Sequence, residues 1–302
     1  MIARGVAAVG RCSDDLAGRL REFPLFDPVA ALTLFMVVIF SFDDPAFRIV
    51  GQLALLGVLV HSPLLRSRAL WTALAVVGTL VLARHWYTAD NHKYLLVYWL
   101  WVVTIASHLG AAADADADKV LLFNARFFLV FIFLGAALQK WLSSRYMSGE
   151  MFEMFLLLDE RFRAFAHLVG IDKSVANAAL LSYTTLQSPL TEVVNNEILL
   201  PATDHSRFVA LAITWYDFWV QVLIGLCLAL NRRVAELVGH AALLFFIFTT
   251  YIPAPVFGFG WTLTVMGFAL TKDRFPRLAL AYFAAAVAVL LYQMPWREWV
   301  LS

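Results

Sequence analysis

Nine apolar runs divide this chain, and they constrain its fold more than any other feature. The runs lie near residues 29–42, 47–62, 69–84, 93–110, 120–139, 208–230, 234–252, 256–271 and 277–293. Of the 302 residues, 62% are hydrophobic and only 15% are charged, which is unlike an ordinary soluble domain. A perpendicular helix needs roughly 20 apolar residues to cross a bilayer, so the ends of the shorter runs are only approximate. We expect an all-α bundle of about nine transmembrane spans, built as a single domain over residues 1–302.

The charges and cysteines of the chain exclude several classes of function. The net charge is +1, which gives no basis for a nucleic-acid partner. Cys12 and Cys227 are far apart, and Cys227 lies within an apolar run, so we expect no disulfide and no thiolate metal site. The sequence has no His or Cys cluster with metal-ligand spacing, no Gly-rich phosphate loop and no Gly-x-Ser-x-Gly motif. We therefore predict no metal.

Basic residues in the loops predict the orientation of the chain in the membrane. They follow the second, sixth and eighth runs: Arg66, Arg68, Arg232, Arg233, Lys272, Arg274 and Arg277. Four arginines also precede the first run, in a segment that lacks the order of a signal peptide. We predict a cytoplasmic N-terminal segment over residues 1–28, in an integral membrane protein.

Residues 140–207 interrupt the apolar pattern with many charged side chains. Within this segment, residues 147–158 and 162–169 are amphipathic, which is typical of helices that lie in a membrane interface. We predict an interfacial helical hairpin on the extracytoplasmic side. A partly embedded lid over a functional site is the second interpretation, and the two are compatible.

Lys140 is the strongest candidate for a catalytic residue. It follows the apolar stretch 127–138, and Arg126 precedes that stretch. At 100° per residue the two charges are about 40° apart around a helix, so they share one face. Burial makes an amine easy to deprotonate, which suits a base, whereas two snorkelling anchors are the structural alternative. His92 lies between the third and fourth runs, so the nine-span topology puts it on the same outer side as Lys140.

Three other positions are weaker candidates for a site. Asp217 and Gln221 are one helical turn apart within an apolar run, where an acid indicates either function or an interhelical hydrogen bond. His240 begins the next run and is a candidate partner for Asp217. The Gly258–Trp261 stretch suits close helix packing or a surface that contacts a quinone.

Two segments of the chain resemble the vitamin K-dependent γ-carboxylases and the wider bacterial HTTM proteins. The sequence Asn91-His92-Lys93-Tyr94-Leu95 is similar to the family's Asn-Asn-His-x-Tyr-Leu segment, with Asp90 in place of the first Asn. Residues 126–140 resemble the family's arginine-to-lysine helix. Gly149 resembles the glycine of its Asp-Trp-x-x-Gly stretch, although the spacing differs and the Asp-Trp pair is absent. Residues 215–240 resemble a later helix pair more weakly, and the whole resemblance covers roughly residues 29–270.

The resemblance implies an enzyme of the bacterial inner membrane that uses a reduced vitamin K or menaquinone-type quinol. Lys140 would be the general base that deprotonates the quinol, and His92 would assist. Oxygen then adds, a strong base takes a proton from a glutamate side chain of a peptide or protein acceptor, and carbon dioxide traps the carbanion. Residues that the sequence offers for binding the quinone are Asn91, Arg126, Asp217, His240 and Trp261.

The chain also departs from the eukaryotic members of that family. It ends at Ser302, so we expect neither their large lumenal domain nor propeptide-guided carboxylation. A non-catalytic membrane subunit that assembles with a partner, or matures it, is therefore the alternative function. A transporter ranks third, because the sequence shows no paired repeat with interrupted helices.

Overall fold

The computed structural model describes residues 15–16, 18–39, 44–110, 114–186, 202–251 and 257–293. All secondary structure within these ranges is helical. The α-helices are α1 (Phe26–Ile39), α2 (Pro45–Val60), α3 (Arg68–Arg84), α4 (Asn91–Gly110), α5 (Asp114–Trp141), α6 (Ser144–Met147), α7 (Glu150–Leu158), α8 (Arg163–Leu168), α9 (Lys173–Leu186), α10 (Asp204–Ala229), α11 (Arg233–Tyr251), α12 (Phe257–Thr271) and α13 (Pro276–Gln293). Two short 3₁₀-helices cover Ser62–Arg66 and Glu160–Phe162.

Each apolar run predicted from the sequence coincides with a helix, namely α1 to α5 and α10 to α13. The all-α class is therefore confirmed for the described part of the chain. Within it, three helices are long and apolar enough to cross a membrane: Asp116–Trp141, Asp204–Ala229 and Arg233–Thr250. Shorter apolar helices cover Phe26–Ile39, Pro45–Val60, Gly258–Thr271 and Pro276–Ala288. The count of nine spans stays a prediction.

The chain divides into two compact units. Unit one comprises Met1–Leu129 and Val256–Ser302, and unit two comprises Val130–Pro255. Helix α5 begins in unit one and ends in unit two, so Arg126 belongs to the first unit and Lys140 to the second.

Buried tryptophans join the helices of unit one. The indole N–H of Trp99 on α4 donates to the Thr33 hydroxyl of α1 over 2.9 Å. The indole of Trp261 on α12 donates to the Leu32 carbonyl, also on α1, over 3.2 Å. Both side chains are at most 2% exposed. A buried indole needs an acceptor for its N–H, so these hydrogen bonds hold α1, α4 and α12 together while the rings fill the core.

In unit two, α10 packs extensively on α11 and α7, and it approaches α5 closely at one point. Gly225 of α10 lies against Leu134 of α5, and a Cβ atom at Gly225 would stand 2.6 Å from the Leu134 side chain. Small residues let helices approach in this way. Phe133 of α5 meets Phe246 of α11 edge-to-face, with ring centroids 5.3 Å apart. These contacts fix the three helices relative to one another.

The segment predicted as an amphipathic hairpin is helical and lies in unit two. Helices α6 to α9 cover residues 144–186, and α7 packs along α10. Gly149 links α6 to α7 in the left-handed region at φ 87°, where a Cβ atom would stand 3.2 Å from the Leu211 backbone nitrogen of α10. Residues 187–201 lie outside the described residues. The extracytoplasmic position of this segment stays a prediction.

Candidate functional site

The candidate site joins Lys140 in the last turn of α5 to Asp217 in the middle of α10. A capping box starts α10: the Thr203 hydroxyl accepts from the Ser206 backbone N–H over 3.1 Å, and the Ser206 hydroxyl accepts from the Thr203 N–H over 2.9 Å. This cap satisfies two backbone N–H groups at the helix start. It also fixes the register that carries Asp217 deep into the apolar part of α10.

Lys140 and Asp217 form an ion pair, with the ammonium group donating to Oδ2 of the carboxylate. Their side chains are only 18% and 13% exposed. A charge surrounded by apolar groups is costly unless an opposite charge and hydrogen bonds compensate it. Each residue therefore compensates the charge of the other between two apolar helices.

Tyr146 is the third member of the site. Its hydroxyl donates to the same Oδ2 of Asp217, and its ring lies 5.0 Å from the Lys140 nitrogen. The residue is 6% exposed and packs edge-to-face on Phe152. Burial raises the pKa of the Tyr146 phenol, and the negative charge of Asp217 raises it further. The phenol therefore stays protonated near neutral pH and acts as a hydrogen-bond donor to the carboxylate.

Gln221 completes the set of groups around the carboxylate. Its side-chain N–H₂ donates to Oδ1 of Asp217 over 2.8 Å, one helical turn along α10. This bond fixes the orientation of the amide, because only its nitrogen can donate to a carboxylate. The amide oxygen of Gln221 is then buried without a hydrogen-bond partner among the described residues.

Aromatic side chains shield this polar cluster on one side. The Trp141 ring, next to Lys140 in the chain, stacks on Phe218 with centroids 5.8 Å apart. Trp215 meets the same Phe218 ring edge-to-face at 6.1 Å. Apolar walls lower the local dielectric constant, which strengthens every charge interaction within them.

The arrangement suits proton transfer. An amine and a carboxylate joined by one hydrogen bond can hold the shared proton on either partner. Tyr146 and Gln221 hold the two oxygens of the Asp217 carboxylate through hydrogen bonds. A pair that takes up one more proton gains a net charge of +1, which an anion formed beside it would compensate. Among the described residues, no group of three or more His, Cys, Asp or Glu side chains could hold a metal ion.

His92 and its neighbours lie in unit one. His92 is in the first turn of α4 and is half-buried. Its ring lies against Gly258 at the start of α12, where a Cβ atom would stand 2.6 Å from the imidazole Cδ2. Asn91 begins α4 and is exposed. Because His92 and Lys140 belong to different units, their shared pocket stays a prediction.

The other residues proposed from the sequence have different environments. Trp261 is buried and donates its N–H to a backbone carbonyl, so its polar group already has a structural partner. Arg126 is half-buried on α5, and His240 is 2% exposed on α11. The Asp217 carboxylate takes its hydrogen bonds from Lys140, Tyr146 and Gln221.

Sequence reasoning identified Lys140 and Asp217 separately and missed Tyr146 as their common partner. A usable signal was present, because Ser143 is a good N-cap residue directly after α5. Its hydroxyl accepts from the Tyr146 backbone N–H over 3.3 Å and starts a new short helix. A chain that turns back at this point keeps Tyr146 close to Lys140.

No protein-family model, no curated protein and no solved structure matches the chain. The similarity to γ-carboxylases therefore rests on the residues quoted above.

Proposed function

We propose that this chain is an integral membrane enzyme in which the Lys140–Asp217 pair takes a proton from a reduced, membrane-dissolved quinone. One observation carries the proposal: the two charges are paired and shielded between apolar helices, with the Tyr146 hydroxyl on the same carboxylate oxygen. Ionisable groups in such places usually mark functional sites. The resemblance to γ-carboxylases supplies the quinol as the substrate class.

The side chains of the site have separate roles in proton removal. The proton shared by the pair first moves from Lys140 to Asp217, and the neutral Lys140 amine then takes the proton from the quinol hydroxyl. Asp217 ends neutral and Lys140 ends as an ammonium. That ammonium then stabilises the negative charge left on the substrate. Such placed electrostatic stabilisation is commonly the largest contribution to catalysis. Tyr146 and Gln221 hold the two oxygens of Asp217 in place.

The family resemblance extends this proposal beyond proton removal. A reduced vitamin K or menaquinone-type quinol supplies the electrons, oxygen is the oxidant, and carbon dioxide is the group added to a peptide or protein acceptor. In this proposal His92 assists the proton removal by Lys140. Asn91, Arg126, His240 and Trp261 are candidates for contacts with the quinone.

The membrane arrangement in this proposal has nine spans and a cytoplasmic N-terminus. Three helices with sufficient length and apolarity support the membrane location, and the loop arginines support the orientation. Single cysteines at Ser67 and Ser144, in a background without Cys12 and Cys227, test it with a membrane-impermeant thiol reagent. The proposal requires that they react from opposite sides. Labelling of both from the same side rejects the nine-span arrangement.

Replacement of Lys140 by arginine tests the chemistry. Arginine keeps the positive charge beside Asp217 but cannot lose its proton in a protein. We expect Lys140→Arg to lower the oxidation rate of menaquinol or reduced vitamin K at least about 100-fold, the size of a typical general-base contribution. Thermal unfolding of the purified variant shows whether the fold is kept.

Lys119→Arg is the matched control. Lys119 lies on the same helix, is exposed, and pairs with Asp116 over 3.0 Å at the helix surface. Its replacement should leave quinol oxidation unchanged. A folded Lys140→Arg protein with full quinol turnover rejects the enzyme mechanism. The non-catalytic subunit then becomes the better hypothesis, and a co-purifying membrane partner is the observation to seek.

A further inference from the structure

A cavity of about 460 Å³ lies in unit one, where the start of α2 meets the end of α3 and the start of α4. This volume is within the range of about 300–1,000 Å³ that is usual for small-molecule sites. Its lining includes Asp44, Ala46, Arg84, His85, Thr88 and Lys93. Three of these six side chains are basic and one is acidic.

The acidic side chain in the cavity is already engaged. Asp44 caps α2, and its Oδ1 accepts from the backbone N–H groups of Ala46 and Phe47 over 2.9 and 3.1 Å. Its other oxygen lies 3.7 Å from Nε2 of His85. The carboxylate is 8% exposed, so little of its negative charge faces the cavity opening. The remaining charged groups give the cavity a positive character.

The basic groups suit a ligand that carries several acceptor oxygens. Arg84 and Lys93 are donors only, and Arg84 ends α3 with an exposed side chain. A guanidinium presents a planar fork of N–H groups, and this geometry matches phosphate oxygens. Thr88 stands between these cations in the chain and adds a hydroxyl to the lining.

Aromatic residues beside the cavity indicate where such a ligand would come from. Trp86 and Tyr87 follow directly after His85, are 55% and 84% exposed, and have ring centroids 4.0 Å apart. Exposed tryptophan and tyrosine side chains gather at the headgroup level of membranes. Such side chains next to a basic cavity favour a lipid phosphate as its ligand.

We propose that this cavity binds a phosphate group, carried either by an anionic lipid or by a soluble phosphate ester. Arg84 and Lys93 contact its oxygens, and His85 and Thr88 border it. The site does not depend on the chemistry at Lys140. Its test is therefore independent of the test of the proposed enzyme activity.

Calorimetric titration of the purified protein in a neutral detergent tests the site. The three probes are dioctanoyl phosphatidic acid, inorganic phosphate, and dioctanoylglycerol as the lipid without phosphate. We expect phosphatidic acid to bind and dioctanoylglycerol not to bind. Inorganic phosphate that binds equally well assigns the site to soluble phosphates, and binding of the lipid alone assigns it to headgroups.

Two variants and one control connect the binding to this cavity. Arg84→Gln should weaken binding about tenfold or more, the usual effect of losing a charge-assisted hydrogen bond. Lys93→Gln should weaken it in the same direction. Arg68→Gln removes an exposed arginine from the other end of α3 and should leave the affinity unchanged. No binding of either phosphate probe, or equal affinity in wild type and Arg84→Gln, overturns the proposal.

Discussion

Lys140 and Asp217 are 77 residues apart in the chain, and they form an ion pair between α5 and α10. The stacked rings of Trp141 on α5 and Phe218 on α10 are the chain neighbours of this pair. Stability and chemistry therefore depend on the same hydrogen bond. Variants that separate the two roles are the most informative ones to make.

Removing one partner of the pair should cost more than removing both. Asp217→Asn leaves the Lys140 ammonium without compensation and should lower the free energy of unfolding by about 3 kcal/mol, the lower end for buried pairs because both side chains keep some exposure. The double variant Lys140→Met/Asp217→Leu removes both charges. We expect a coupling energy of at least about 1 kcal/mol in unfolding experiments in mild detergent. Strictly additive effects would show that the two charges do not stabilise each other.

The Tyr146 hydroxyl should contribute through its hydrogen bond to Asp217. Tyr146→Phe keeps the ring contact with Phe152 and removes only the donor. We expect a loss of about 2 kcal/mol, as is usual for a hydrogen bond to a charged group. Tyr98→Phe is the control, since that ring is 55% exposed and stacks on Phe128. Equal melting temperatures for the two variants would contradict the role given to Tyr146.

The approach of α10 to α5 should depend on Gly225. Gly225→Ala places a Cβ atom 2.6 Å from the Leu134 side chain, so that side chain or a helix must shift, at a cost of about 1–3 kcal/mol. Gly135→Ala on α5 meets no atom within 4 Å and should be neutral or slightly stabilising, because alanine favours helix by about 1 kcal/mol.

A second substitution tests the cause of that effect. Leu134→Ala combined with Gly225→Ala opens the space that the new Cβ atom needs, and it should recover part of the lost stability. Thermal unfolding of all four proteins provides the comparison. A Gly225→Ala protein as stable as Gly135→Ala would show that the helices are not in such close contact.

Asp44 should make the stability of unit one depend on pH in the acidic range. The backbone N–H groups of Phe47 and Ala46 hold the pKa of Asp44 below its ordinary value of 3.8. The folded protein therefore binds this proton more weakly than the unfolded chain does. The contribution of Asp44 is complete above its ordinary pKa and is lost as the pH falls through the lower pKa of the folded state.

Serine at this position separates capping from titration. Asp44→Ser keeps an N-cap hydroxyl but has no acid group, so its stability should fall less than that of the wild type between about pH 5 and about pH 2.5. Melting temperatures of the wild type and of Asp44→Ser across this pH range test the prediction. Parallel curves for the two proteins would mean that Asp44 does not titrate with folding.

The helices of this protein were largely predictable, because their apolar residues are continuous in the sequence. The positions of the helix ends were less predictable. The run predicted at 208–230 forms a helix that starts four residues earlier, at Asp204, because the Thr203 capping box stabilises a polar first turn. Helix α5 starts at Asp114 rather than near residue 120, since acidic side chains are favourable at a helix N-terminus. Hydropathy alone does not detect either effect.

The site was predictable only as separate residues. Lys140 and Asp217 are conspicuous because each puts a charge into an apolar stretch. Their pairing depends on how α10 is rotated and how closely it approaches α5, which the Gly225–Leu134 contact determines. That contact joins positions far apart in the chain, and no local pattern encodes it. Tyr146 was missed because its role follows from the turn after α5 and not from its own neighbours.

The order in which the ribosome delivers the two charges has a consequence for biogenesis. Lys140 leaves the ribosome 77 residues before Asp217, which at bacterial and eukaryotic rates of synthesis takes about 4–15 s. During that interval the ammonium group has no carboxylate partner, so it is favoured to stay at the water boundary by snorkelling. The end of α5 can therefore take its final position only after α10 has been synthesised. Nascent chains that stop before Asp217 should therefore be held as incomplete intermediates and become targets for quality-control proteolysis.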